Sequence, residues 1–113
     1  LYHRCRAAVL STHYEGLPLV LIDYMSAGCA AIGSDAPGVP DIISPGRTGW
    51  LFPVHDDAAL ADTLRTVLAG GPEVEAVAAR GQTEVPQLFS VDRMVGRYEA
   101  LFADLLRAAP RAS

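Results

Sequence analysis

The chain has 113 residues, half of them apolar and 19% charged, with a formal net charge of −4 and a pI near 5.2. That length suits one ordinary domain folded around its own core and excludes a disordered chain. The acidic balance argues against a nucleic-acid partner, whose phosphates require a basic footprint, and the longest apolar run is far too short to cross a bilayer.

No signal-peptide pattern is visible. The first residues, Leu1-Tyr2-His3-Arg4-Cys5-Arg6, lack an initiator Met and read as a helix entered part-way, so the expectation is a fragment of a longer protein. His3, Arg4 and Arg6 form a small basic spot, read as a solvated helix face. Cys5 and Cys29 fit no metal-ligand spacing. They read as two reduced thiols, as in a cytoplasmic protein.

In chain order, Ala7 to Ser11 forms a short apolar run bounded by polar residues, the pattern of a buried parallel strand. Pro18 to Ala27 predicts a helix, with Pro18 in its first turn and Gly28 just past its end. Cys29 to Gly33 is a second buried strand and Ala36 to Pro40 a loop. Asp41 to Ser44 suits one helical turn, and Thr48 to Phe52 a third strand. Asp56 to Leu68 predicts a helix with Leu60, Leu64, Val67 and Leu68 on one face, capped by Asp56. Gly70-Gly71-Pro72 ends it. Glu73 to Arg80 reads as another helix. Val91 to Ala108 is a longer one, with Met94, Val95, Tyr98, Leu101, Phe102, Leu105 and Leu106 on one side. Pro110 to Ser113 is an expected frayed tail. Strands alternating with helices imply a parallel sheet, whose ligands bind beyond the carboxyl ends of the strands.

The informative stretch is Glu15 to Asp23. Leu17 cannot cap the helix that follows it, so the N–H groups of Leu19, Val20 and Leu21 are expected to want an acceptor. The helix dipole favours an anion there, and phosphate is the natural candidate. Asp23 stands in a helix apolar nearly all round, and a buried carboxylate requires a partner. Gly16 permits a tight turn and close approach of a ligand. Glu15 and Asp23 together can bracket a polyhydroxylated, phosphorylated ligand, since carboxylates accept what sugar hydroxyls donate. Each feature also has a plainer reading: water at the helix end, or an exposed structural Asp23.

The run Glu15-Gly16-Leu17-Pro18-Leu19-Val20-Leu21-Ile22-Asp23-Tyr24-Met25-Ser26-Ala27-Gly28 resembles the signature of the retaining GT-B glycosyltransferases, the "glycosyl transferases group 1" family, whose motif is Glu, seven residues, Glu. The resemblance continues through Ser34 to Ile43, Gly46 to Pro53 and Asp56 to Leu60. It is firm from about Ala7 to Leu68 and weaker beyond, where it rests on Phe89-Ser90 and the last helix.

The resemblance implies a three-layer α/β fold with a parallel sheet, the partial Rossmann-like carboxyl-terminal half of the second GT-B domain, over residues 1–109. It implies sugar transfer from a nucleotide-diphosphate sugar donor with retention of configuration, with no metal and no cofactor. Glu15 is then expected to bind donor-sugar hydroxyls, and the backbone around Gly16, Leu17 and Leu19 to approach sugar and diphosphate. Asp23 takes the place of the second Glu, which holds the ribose; it is one methylene shorter. Asp41 stands where the family often has Glu. No nucleophile or base is named. The sugar or lipid-linked acceptor would sit in an amino-terminal domain absent from this sequence, and any peripheral membrane contact would belong to the longer parent. The chain alone is expected to be inactive. The alternatives are a GT-B sugar-nucleotide epimerase and a degenerate, non-catalytic binding module. His13 reads as a loop histidine, Trp50 as packing, and Tyr24 and Met25 as core.

Overall fold

The structure, a computed structural model, describes residues 4–109. The expected tail at 110–113 and the opening residues 1–3 lie outside these.

Three short parallel strands form the sheet: β1 (Ala7–Leu10), β2 (Ala30–Ser34) and β3 (Trp50–Phe52), in the order β1-β2-β3. β2 is buried along its whole length. Ala7 pairs with Ala30 and Leu10 with Gly33 on one side, and Ile32 with Trp50 on the other. Alternate side chains point to opposite faces. Ala30, Ile32, Phe52, Val9 and Trp50 meet Leu60, Leu64 and Val67 of helix α2 (Asp57–Ala69). Ala31, Leu10 and Leu51 face the other way, onto Leu21 and Met25 of α1 (Leu19–Ser26) and Val85 of α3 (Pro72–Leu88). Helices on both faces give the expected three layers. A last helix, α4 (Val91–Ala108), begins at Ser90, whose Oγ accepts the Arg93 N–H at 3.2 Å.

Most elements fall where the sequence puts them. Asp56 caps α2 as expected, its carboxylate accepting the Ala59 N–H at 2.9 Å. Gly28, with φ +84°, ends α1, where its N–H reaches the Met25 carbonyl at 3.0 Å. Trp50 packs on the α2 cluster, and Met25 is core with Tyr24 beside it.

Several expectations are corrected. Asp41–Ser44 is not a helical turn. The turn lies earlier, where the Ile42 and Ile43 N–H groups both reach the Val39 carbonyl at 3.0 Å. Leu68 leaves the α2 core face and is exposed. Helix α3 does not stop at Arg80. It continues through Gly81 and Pro86 to Leu88, and a β-carbon at Gly81 would lie 2.6 Å from the Thr48 carbonyl oxygen. That glycine lets the helix lie against the backbone before β3, so it marks a close approach rather than an end.

The largest departure concerns α4. Its apolar stripe is present, yet no residue of the helix is buried: Tyr98 is 55% exposed and Leu105 56%. No helix among the described residues is long and apolar enough to cross a membrane.

Candidate functional site

The loops beyond the carboxyl ends of β1 and β2 are fastened to one another. Ser34, the last residue of β2, is buried; its Oγ accepts the Thr12 N–H at 2.9 Å and donates to the Thr12 carbonyl at 2.7 Å. Three residues on, the Glu15 N–H donates to the Pro37 carbonyl at 3.0 Å. Gly38, at φ +93°, lies directly against the carbonyls of Glu15 and Gly16; a β-carbon there would stand 2.9 Å from the Gly16 oxygen. The loop that carries Gly38 lies down over the end of β2, because Gly33 leaves room for Val39, whose Cγ1 would be 2.6 Å from a β-carbon. These contacts fix the Glu15-Gly16-Leu17 turn over the sheet's carboxyl edge, where parallel sheets bind ligands.

Within that frame Glu15 is half-buried, while Gly16, Leu17, Leu19 and Asp23 are exposed. Three of the physical arguments for the stretch change. First, Pro18 is the N-cap rather than a first-turn residue, with no side-chain cap bond. The Leu19 N–H reaches the Leu17 carbonyl at 2.9 Å and the Leu21 N–H the Pro18 carbonyl at 3.0 Å. Two of the three expected donors are thus satisfied locally. Second, α1 is not buried all round: Leu21 and Met25 face the core, but Leu19 is 63% exposed. Asp23, one turn further along, shares that open side, so solvation alone accounts for its charge. Third, Gly16 does not need positive φ, and nothing lies within 4 Å of where its β-carbon would be. Its value is open space over the backbone, not a strained turn.

Other groups at this edge were not legible as a set. The rings of His13 and His55 face each other with centroids 4.5 Å apart. The Asp35 N–H donates to the Phe52 carbonyl at 2.8 Å, tying the loop after β2 to the end of β3. Asp41 is exposed. Further away, Arg47 grips Glu84 with both guanidinium ends, and the Arg80 Nε–H donates to the Arg47 carbonyl at 2.8 Å. Hydrogen bonding from Arg47 holds the Glu84 carboxyl below its usual range. Cys5 is exposed and Cys29 buried, and they form no disulfide; burial is the main reason the Cys29 thiol is pushed up.

A cavity of about 660 Å³ lies beside this turn, between α1 and the start of α4. Leu17, Leu19, Ile22, Phe89 and Met94 give it an apolar wall, with Arg97 the cation on it, and Glu15 is not part of the lining. Its chemistry suits apolar groups. Among the described residues no group of three or more His, Cys, Asp or Glu is placed to hold a metal ion.

A three-stranded parallel sheet between helix layers, with the Glu15 turn clamped at its carboxyl edge, defines a three-layer α/β fold. Residues 1–84 match the family model of glycosyl transferases group 1, and the chain belongs to that family. It is 30% identical over 99 residues to N-acetyl-alpha-D-glucosaminyl L-malate synthase of Bacillus anthracis, covering 88% of this chain and 26% of that enzyme. Sucrose-phosphate synthase from Thermosynechococcus elongatus superposes with a TM-score of 0.84 at 28% identity, over 96% of this chain and 27% of that one. HepE of Anabaena in complex with UDP shares the fold, with a TM-score of 0.86 at 18% identity over 92% of this chain and 29% of that one. The architecture is that of GT-B glycosyltransferases. The chain spans about a fifth to a quarter of the length of curated relatives it matches.

Proposed function

We propose that this chain supplies part of the donor-binding half of a glycosyltransferase that moves a sugar from a nucleotide-diphosphate donor to a sugar or lipid-linked acceptor, with retention of configuration. Glu15 accepts hydrogen bonds from donor-sugar hydroxyls. The open backbone at Gly16, Leu17 and Leu19 approaches the sugar and diphosphate, and Asp23 accepts from the ribose. The acceptor site belongs to a separate amino-terminal domain, so the chain alone binds donor weakly and transfers nothing. The proposed compartment is the cytoplasm.

The observation that carries this reading is the fastening of the Glu15-Gly16-Leu17 turn by Ser34, Pro37 and Gly38. A pre-set acceptor on a rigid edge loses little entropy on binding. The names of relatives agree with it: HepE structures contain UDP and UDP-glucose.

Asp23 is the finer part of the proposal and has its own test. Titrating the chain with a nucleoside diphosphate and its 2′- and 3′-deoxy analogues compares wild type with Asp23→Asn. If Asp23 holds the ribose, wild type loses affinity when a hydroxyl is removed and the variant loses none further. Equal losses in both assign the ribose to another group.

A further inference from the structure

His13 lies on the loop after β1, and His55 on the loop between β3 and α2. β1 and β3 are the two outer strands of the sheet, with β2 between them. The loops after them nevertheless meet, with imidazole centroids 4.5 Å apart and ring planes inclined by 44°. His55 is held at φ +67°, and among the described residues it is the non-glycine with positive φ. A side chain disfavours that backbone region, and such outliers gather at sites of function.

Both rings are carried next to fixed backbone. Thr12 is clamped by Ser34 Oγ at 2.9 and 2.7 Å. Asp56 donates its N–H to the Pro53 carbonyl at 3.1 Å and caps α2 through its carboxylate. Both histidines are exposed, so each ring is open to solvent and can turn. Neutral imidazole is the commonest protein ligand for borderline divalent metals, and each nitrogen sits about 2.0–2.1 Å from the ion. Binding one ion requires each exposed ring to turn out of this tilted contact until one nitrogen of each faces a common point.

We propose that His13 and His55 form a binding site for a divalent transition-metal ion of the zinc, nickel or copper(II) class, with water completing the coordination. The site has two protein ligands, fewer than the clusters of three or more that are absent among the described residues. Its ligands are not the residues proposed for donor binding, although His13 lies two positions before Glu15 on the same loop. A bound ion would tie the loops after β1 and β3 together across the end of β2.

The test is calorimetric titration of the full chain with zinc chloride and with nickel chloride, alongside thermal melts in each metal. The expected result is one saturable ion per chain and a rise in Tm. His13→Ala and His55→Ala should each weaken binding at least tenfold, while His3→Ala leaves it unchanged. His55→Gly relieves the positive φ, so it should melt at or above the wild-type temperature without metal and still lose the metal-induced rise. Absence of saturable binding overturns the proposal. So does binding that survives either His13→Ala or His55→Ala, or that disappears in His3→Ala. Donor titrations do not enter the readout, so its failure leaves the Glu15 assignment untouched.

Discussion

Gly38 is packed so tightly on the Glu15 carbonyl that no side chain fits between them, and the adjacent Pro37 carbonyl takes the Glu15 N–H at 3.0 Å. The loop after β2 therefore acts as the template on which the acidic turn after β1 is set.

Gly38→Ala would force a β-carbon into that carbonyl at φ +93°. Left-handed backbone costs roughly 1–2 kcal/mol and overpacking a further 1–3 kcal/mol or so. Denaturant unfolding should show a loss of about 2–5 kcal/mol, with the Glu15 turn displaced. Gly16→Ala meets empty space. It should change stability by no more than about 0.5 kcal/mol, and lower donor affinity only if a ligand occupies that space.

Ser34→Ala removes both hydrogen bonds to Thr12 from a buried site. Leaving two backbone groups unsatisfied should cost about 1–3 kcal/mol. Hydrogen exchange should speed up at Thr12 and through the Glu15 loop before it does in β2. Unchanged exchange there would mean that Pro37 and Gly38 hold the loop alone.

Local patterns explain which features were legible. Apolar runs with glycine and proline punctuation located the strands, and Asp56 marked the start of α2 correctly. What was missed depends on contacts distant in sequence. Gly81 and Pro86 look like helix breakers, but Gly81 is required by Thr48 across the fold. Gly33 and Gly38 resemble ordinary loop and strand glycines until Val39 and Glu15 are placed beside them. The run Leu19 to Met25 suggested burial on all sides, whereas only Leu21 and Met25 are buried. Nothing in the spacing of His13 and His55 announces their contact.

Glu84 offers a test by pH. Its carboxyl is held below the usual value, chiefly by hydrogen bonds from Arg47. A depressed folded-state value means that the stabilisation is present above the ordinary carboxylate range and is lost as pH falls through the lower, folded value. Tm measured on acidification should fall less steeply in Glu84→Gln than in wild type. Added salt should narrow the difference, since both partners are substantially exposed.

Helix α4 has no buried residue. Most helical stability in proteins comes from packing an apolar face against the fold, and the 18 residues of α4 lack that burial. Its amides should exchange far faster than those of α1 and α3. Replacing Tyr98 and Leu105 by serine should leave the core transition within about 0.5 kcal/mol of wild type. Fluorescence of the single tryptophan, Trp50, which packs beside α2, reports that transition.

The central claim is that the turn at Glu15 receives the sugar of a nucleotide-sugar donor. The most direct measurement follows backbone amide resonances of the chain during titration with UDP-, GDP- and ADP-sugars and the matching sugar-free diphosphates. One nucleotide class should shift Glu15, Gly16, Leu17 and Leu19 most, with the sugar adding affinity beyond the diphosphate. Glu15→Gln should abolish that sugar increment, a loss of roughly 1.5–3 kcal/mol for a hydrogen bond to a charged group, or about 10- to 150-fold, while Tm stays the same. Shifts confined to other surfaces, or a sugar increment unchanged in Glu15→Gln, would contradict the assignment.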